Sequence, residues 1–167
     1  MNIIIEGVDR VGKSILAKKL ADRLKYVIFH DEYSDWVKVL PNMKIATPRE
    51  LKLAQEISNV RLEVLLQIAA SSNNIIFDRL HLTEQTYGAL RGLDFSSYDS
   101  IDKRLSGLDP LLILVESEDI KESSEQHGSS LEVHEAILKS LFYASTINRK
   151  VKVKYADFDR LVRHIYG

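Results

Sequence analysis

Apolar and polar positions alternate along the chain between two rhythms. Ile3-Ile4-Ile5 is an unbroken β-branched run, the pattern of a short buried strand. From Lys13 the rhythm becomes helical. Leu16, Leu20 and Leu24 form one stripe with Ala17 and Ala21 beside it, while Lys18, Lys19, Asp22, Arg23 and Lys25 point elsewhere. Tyr26 to Phe29 predicts a second strand, and residues 30–47 look irregular. Thr47-Pro48-Arg49-Glu50 supplies a cap residue, proline at the first helical position and glutamate at the third, which predicts the start of a long helix running to about Ala70. Ile75-Ile76-Phe77, ending at Asp78, predicts a third strand. Helical pieces are expected over 83–91 and 97–105, around Gly92. Asp109-Pro110 marks a turn before a fourth strand over Leu111 to Val115. After a polar stretch come a helix over 131–149, a fifth strand over 151–155 and a last helix over 158–165. Continuous rather than alternating apolar strands, separated by helices, predict an α/β fold: a five-stranded parallel sheet with helices on both faces.

One residue breaks the pattern of the long helix. With Ile57 at 0° and about 100° per residue, Leu53, Val60, Val64, Leu65 and Ile68 share an apolar arc, and Arg61 falls inside it. A cation on a core-facing stripe costs free energy unless a partner satisfies it. Arg61 is therefore either a ligand-binding residue or an arginine snorkelling from the edge of the stripe.

Composition narrows the class. The 167 residues suit a single domain over 1–167, with no internal repeat, linker or low-complexity tract. There is no cysteine, which excludes disulfides, thiolate metal sites and a cysteine nucleophile. Lys and Arg number 23 against 24 Asp and Glu, a net charge of −1, which argues against a nucleic-acid partner gripped by bulk charge. The N-terminal apolar run is only Ile3 to Ile5 before Glu6, too short for a signal peptide, and no stretch reaches the length of a membrane helix. A cytoplasmic protein without membrane contact is expected.

Gly7-Val8-Asp9-Arg10-Val11-Gly12-Lys13-Ser14 matches the phosphate-binding pattern G-x-x-x-x-G-K-S/T, between a predicted strand and a predicted helix as the mechanism requires. The glycines let the chain curl so that backbone N–H groups converge on phosphate oxygens, and the following helix aims its positive end at the same place. This predicts a P-loop NTPase fold binding ATP, with Lys13 on the β- and γ-phosphates and Ser14 on Mg²⁺. In open α/β sheets ligands bind outside the carboxyl ends of the strands, so Asp78 is expected beside the loop as a second oxygen donor to the metal. Residues 116–130 have the position and composition of a short lid that closes over donor phosphates.

Glu6 to Ser14 resembles the E-G-x-D-x-x-G-K-S/T loop of thymidylate kinases. Asp78-Arg79-Leu80-His81-Leu82-Thr83-Glu84-Gln85-Thr86-Tyr87 resembles the family's D-R-Y/H-x-x-S-x-x-A-Y segment, with Asp78, Arg79, Thr83 and Tyr87 in place. The resemblance implies that Asp9 holds the acceptor's 3′-hydroxyl, that Asp78 serves the metal and that Arg79 holds a phosphate. In one subgroup a loop arginine, here Arg10, neutralises the transferring phosphoryl group while the lid lacks arginine. Residues 116–130 contain none, and Lys121 is their one fixed cation. The resemblance further implies an arginine on the long helix, here Arg61, at the acceptor phosphate or base, and commonly a homodimer. Leu80, Thr86 and Gly88 depart from the family, Gly88 standing where a base-reading Gln is usual.

Two stretches point away from thymidylate. The family's R-E-P-G-like segment is absent after the second strand. His30-Asp31-Glu32-Tyr33-Ser34-Asp35-Trp36 is more similar to the E-P-x-x-x-W stretch of deoxynucleoside kinases, in which the acid, here Asp31, deprotonates a sugar 5′-hydroxyl and Trp36 stands near the substrate. The expected function is thus ATP- and Mg²⁺-dependent phosphoryl transfer to a (deoxy)nucleoside monophosphate, a small-molecule acceptor. Two alternatives stay open: a deoxynucleoside kinase with Asp31 as base, and a nucleotide-binding protein that has lost catalysis.

Overall fold

The computed structural model describes residues 1–30, 47–90, 94, 98–117 and 131–166. The elements run β1 (Ile3–Glu6), α1 (Lys13–Leu24), β2 (Val27–His30), α2 (Pro48–Ser71), β3 (Ile75–Asp78), α3 (His81–Ala89), α4 (Tyr98–Ser106), β4 (Leu111–Glu116), α5 (Leu131–Ala144), β5 (Arg149–Lys154), a 3₁₀ turn (Tyr155–Asp157) and α6 (Phe158–Tyr166). The five strands are all parallel, in the order β2-β3-β1-β4-β5. Ile3, Ile4 and Ile5 are each at most 1% exposed, so both faces of the central strand are covered, as its unbroken apolar run requires. Helices lie on both sides of the sheet. Among the described residues no helix is long and apolar enough to cross a membrane.

The register sets up the site. Ile5 of β1 pairs with Asp78 of β3, and His30 of β2 pairs with the same Asp78. The carboxyl ends of three neighbouring strands therefore finish in one row. The chain leaves β1 toward β2 on one side and leaves β3 toward β4 on the other, which makes the β1–β3 border the topological switch point where ligands bind in such sheets.

Helix α2 starts as the sequence predicts. The Thr47 N–H donates to Glu50 Oε2 at 2.6 Å, and the Glu50 N–H donates to Thr47 Oγ1 at 3.3 Å, a complete capping box. At its other end the Asn2 side-chain amide donates to the carbonyls of Ala69 and Ser72, each at 2.9 Å, which ties the helix to the start of β1. Its buried face differs from the expected arc. Ala54, Ser58, Arg61, Leu62, Leu65, Leu66 and Ala69 face inward, whereas Leu53, Val60 and Val64 are exposed. The inward arc is rotated by about a quarter turn. Small Ala54, Ser58 and Ala69 form part of the packing face, and the polar members of that face find buried partners. Arg61 lies within either arc.

The helix expected over 131–149 stops at Ala144. Ser145 Oγ donates to Asp102 at 2.6 Å, and the N–H and hydroxyl of Thr146 donate to the same carboxylate at 2.6 and 2.7 Å. The Lys150 ammonium then donates to the carbonyls of Phe142, Tyr143 and Ser145. These side chains supply partners that another helical turn would otherwise supply, and β5 begins two residues earlier than expected, at Arg149.

Candidate active site

The phosphate loop runs from the end of β1 into α1. At Gly7, with φ +156°, an added Cβ would lie 2.7 Å from the Val115 carbonyl oxygen. At Gly12, with φ +88°, it would lie 2.8 Å from the Tyr155 ring. Gly7 is thus required by space as well as by backbone, and Gly12 by its backbone conformation, with a ring close beside it. Arg10 also has a positive φ, 66°, and its side chain is exposed at the tip of the loop. Val8 and Val11 turn their side chains into the core, which leaves only their backbone to face a phosphate.

Lys13 is buried and curls back over this loop, its ammonium donating to the Val8 carbonyl at 2.5 Å. Burial and then the Arg79 charge push its pKa down to about 8, against the pull of Asp9, Asp78 and Glu6. The next residue, Ser14, donates from its hydroxyl to Asp78 Oδ2 at 2.6 Å. His30 Nδ1 lies 3.1 Å from the same oxygen. The other carboxylate oxygen, Oδ1, is buried without a hydrogen-bond partner. Arg79, held with φ 76°, forms an ion pair with Asp9 across the loop. Asp9, Lys13, Ser14, His30, Asp78 and Arg79 therefore gather at the carboxyl ends of β1, β2 and β3.

Ser14 and Asp78 fit a Mg²⁺ ion. A hydroxyl and a carboxylate are the hard oxygen donors this ion prefers, and phosphates and water ordinarily complete its octahedron. The unpartnered buried Oδ1 of Asp78 is a lone pair that a cation would satisfy.

Arg61, Thr83 and Tyr87 have other surroundings. Arg61 is 5% exposed and donates to Glu84 Oε2 at 2.8 Å; the second oxygen of Glu84 accepts from Ser58 at 2.6 Å, and Ser58 meets the Tyr98 hydroxyl at 2.9 Å. The partner that Arg61 needs is thus supplied from α3. The Thr83 hydroxyl donates to the buried carboxylate of Glu6. The Tyr87 ring packs edge-on against His134 of α5, 5.1 Å between centroids. Asp31 and Trp36 lie outside the described residues, as does the expected lid beyond Ser117, with Lys121.

His30 is the member of the group to which the sequence assigns no role. Its partner stands 48 positions along the chain by number, and only the strand register joins them.

The sequence matches no protein-family model and no curated protein. The fold is matched by solved structures over almost its whole length. The YorR protein of Bacillus subtilis, solved in complex with phosphorylated GDP, superposes with a TM-score of 0.66 at 14% identity, covering 99% of this chain and 94% of that one. A deoxyadenosine kinase from M. mycoides, with the products dCMP and a flexible dCDP bound, gives 0.61 at 19% identity, covering 99% and 97%. A thymidylate kinase from Candida albicans gives 0.54 at 19% identity, covering 99% and 88%. At these identities the likeness is one of fold, and the fold of this chain is that of the P-loop nucleotide kinases.

Proposed function

We propose that this chain transfers the γ-phosphoryl group of ATP to a (deoxy)nucleoside monophosphate. The observation that carries the reading is the convergence of Lys13, the Ser14–Asp78 pair and the Arg79–Asp9 pair on one loop at the switch point of the sheet. In the reaction an acceptor phosphate oxygen bonds to the γ-phosphorus as its bond to the ADP oxygen breaks. Charge spreads over the equatorial oxygens, so the protein's work is positioning and neutralisation. Backbone N–H groups of residues 7–14 and the start of α1 hold the donor phosphates. Lys13 leaves the Val8 carbonyl for the β- and γ-oxygens. Ser14 and Asp78 would hold Mg²⁺, which when bound would supply charge screening between donor and acceptor. Arg10, at the exposed tip, meets the transferring group. Asp9 and Arg79 face the acceptor, while Arg61 is engaged with Glu84 and Thr83 with Glu6.

A second reading, a nucleoside acceptor, is favoured by the absent R-E-P-G-like segment. A 5′-hydroxyl needs a base where a phosphate needs none. Asp31→Asn should then abolish turnover of a nucleoside and matter less for a monophosphate.

An ATP-consumption screen across ribo- and deoxynucleosides and their monophosphates tests both readings. Turnover with one acceptor class selects between them. ATP binding with no turnover of any acceptor refutes both. Within the monophosphate reading, Arg10→Ala should lower kcat about 10³-fold or more while the Kd for ATP moves only a few-fold. An unchanged kcat would remove Arg10 from the chemistry.

A further inference from the structure

Glu6 ends β1 immediately before the phosphate loop and takes no part in the chemistry above. Its side chain is fully buried, yet it is among the most heavily bonded in the molecule. One oxygen accepts from the Leu82 N–H at 3.0 Å; the other accepts from the Thr83 N–H at 3.1 Å and from the Thr83 hydroxyl. His81 Nδ1 stands 3.9 Å away, while its Nε2–H donates to Asp102 at 2.9 Å. All of these contacts grip the start of α3. Separated from it by Leu80 alone are Asp78 and Arg79, the metal-side acid and the phosphate-side cation of the proposed site. Arg79 is held in the left-handed region, which residues with a Cβ avoid, and its N–H donates to the Ile5 carbonyl at 2.9 Å. A strained residue persists only where its surroundings over-determine it. Here the surroundings are Ile5 and Glu6 on one side and the gripped start of α3 on the other.

We infer that Glu6 is a positioning residue: by fixing the start of α3 to the end of β1 it holds the Asp78–Arg79 turn against the phosphate loop, so that Asp78 stays on Ser14 and Arg79 stays on Asp9. The inference rests on the reading of this loop as a phosphoryl-transfer site. It also separates Glu6 from an ordinary helix cap. A cap would protect the first turn of α3 alone, whereas a positioning residue also protects the turn before it.

Amide hydrogen exchange distinguishes the two without reference to activity. In Glu6→Gln, which keeps the size but sets an NH₂ group against the donors, the N–H groups of Arg79, Leu82 and Thr83 should all exchange at least about tenfold faster, with Ile4 and Ile76 in the sheet unchanged. Faster exchange at Leu82 and Thr83 with Arg79 unchanged overturns the inference and leaves a cap. If Glu6→Gln does not fold, Thr83→Val removes one donor from the same carboxylate and is read in the same way. Kinetics supply the second test. Glu6→Gln should lower kcat about 100-fold with less than about a threefold change in the KM for ATP. Combined with Arg79→Ala the losses should be clearly less than additive, because the Arg79 cation that Glu6 places is already gone and only the placement of Asp78 is left to lose. Fully additive losses overturn the inference. Wild-type protein that binds ATP and phosphorylates nothing refutes the kinase reading, and the exchange measurement still decides the role of Glu6.

Discussion

At the scale of single residues the phosphate loop is decided by space. Gly7 and Gly12 both have positive φ, but their neighbours differ in what they can yield. A methyl group on Gly7 meets a backbone oxygen of β4, which cannot move without the sheet. A methyl group on Gly12 meets the half-exposed ring of Tyr155, which can turn aside. Gly12→Ala should therefore destabilise by about 1–2 kcal/mol and Gly7→Ala by about 2–4 kcal/mol, measured by urea unfolding. A smaller loss at Gly7 than at Gly12 would contradict this account. The same loop explains what a sequence can reveal at this scale. Binding phosphate with backbone fixes residue types at four of eight consecutive positions, so Gly7 to Ser14 is legible at sight. The partners of Asp78 and Glu6 are not. His30 reaches Asp78 through strand register, and Glu6 reaches Leu82 and Thr83 across 76 and 77 positions. Neither spacing has a local signature.

At the scale of elements, helices α2, α3 and α4 are joined by a buried polar cluster, and its energetics depend on its being complete. Arg61 and Glu84 are both 5% exposed and 2.8 Å apart. Removing one partner strands a buried charge, so Arg61→Met should destabilise by about 3–5 kcal/mol. Arg61→Met with Glu84→Met should recover most of that, since an apolar pair of similar volume carries no desolvation cost. Urea unfolding of the two variants checks it; a double variant no more stable than the single one would refute the account. The cluster at the end of α5 responds to pH instead. Burial raises the pKa of Asp102, but hydrogen bonds from His81, Ser145 and Thr146 outweigh burial and hold it well below the ordinary carboxylate value. Because the folded value is depressed, this stabilisation is fully present above the ordinary value of about 4 and is lost as the pH falls through the folded one. Unfolding free energy measured from pH 6 down to pH 3 should fall more steeply in the wild type than in Asp102→Asn. Equal slopes would count against the assignment. Both clusters explain where element-level reading stopped. The capping box that starts α2 is local and was legible. The rotation of α2 depends on Glu84 and Tyr98, and the end of α5 depends on Asp102 some 43 residues earlier.

At the scale of the whole molecule, the arrangement converts a neutral chain into a local anion trap. The net charge is −1, yet Lys13, Arg79 and the exposed Arg10 meet at the carboxyl edge of the sheet, where the first turn of α1 adds its own positive end. That much of the site was legible, because the alternation of strands and helices fixes which ends of β1 and β3 lie together. It also yields a prediction for the molecule as a unit. A ligand that binds only the folded chain raises its stability by RT ln(1 + [L]/Kd), about 2.7 kcal/mol at 100 times Kd. For a domain of this size that is a rise in Tm of about 5–11 °C with Mg²⁺ and ATP. Lys13→Ala should lose most of the rise, because the removed cation is the buried one that lies over the phosphate loop. Asp78→Asn should lose the part that depends on Mg²⁺, so its Tm with ATP should match that of the wild type in EDTA. Lys13 opens α1 and Asp78 ends β3, so a ligand held at the β1–β3 border responds to both substitutions. A Tm rise that survives each unchanged would place the nucleotide somewhere other than the switch point.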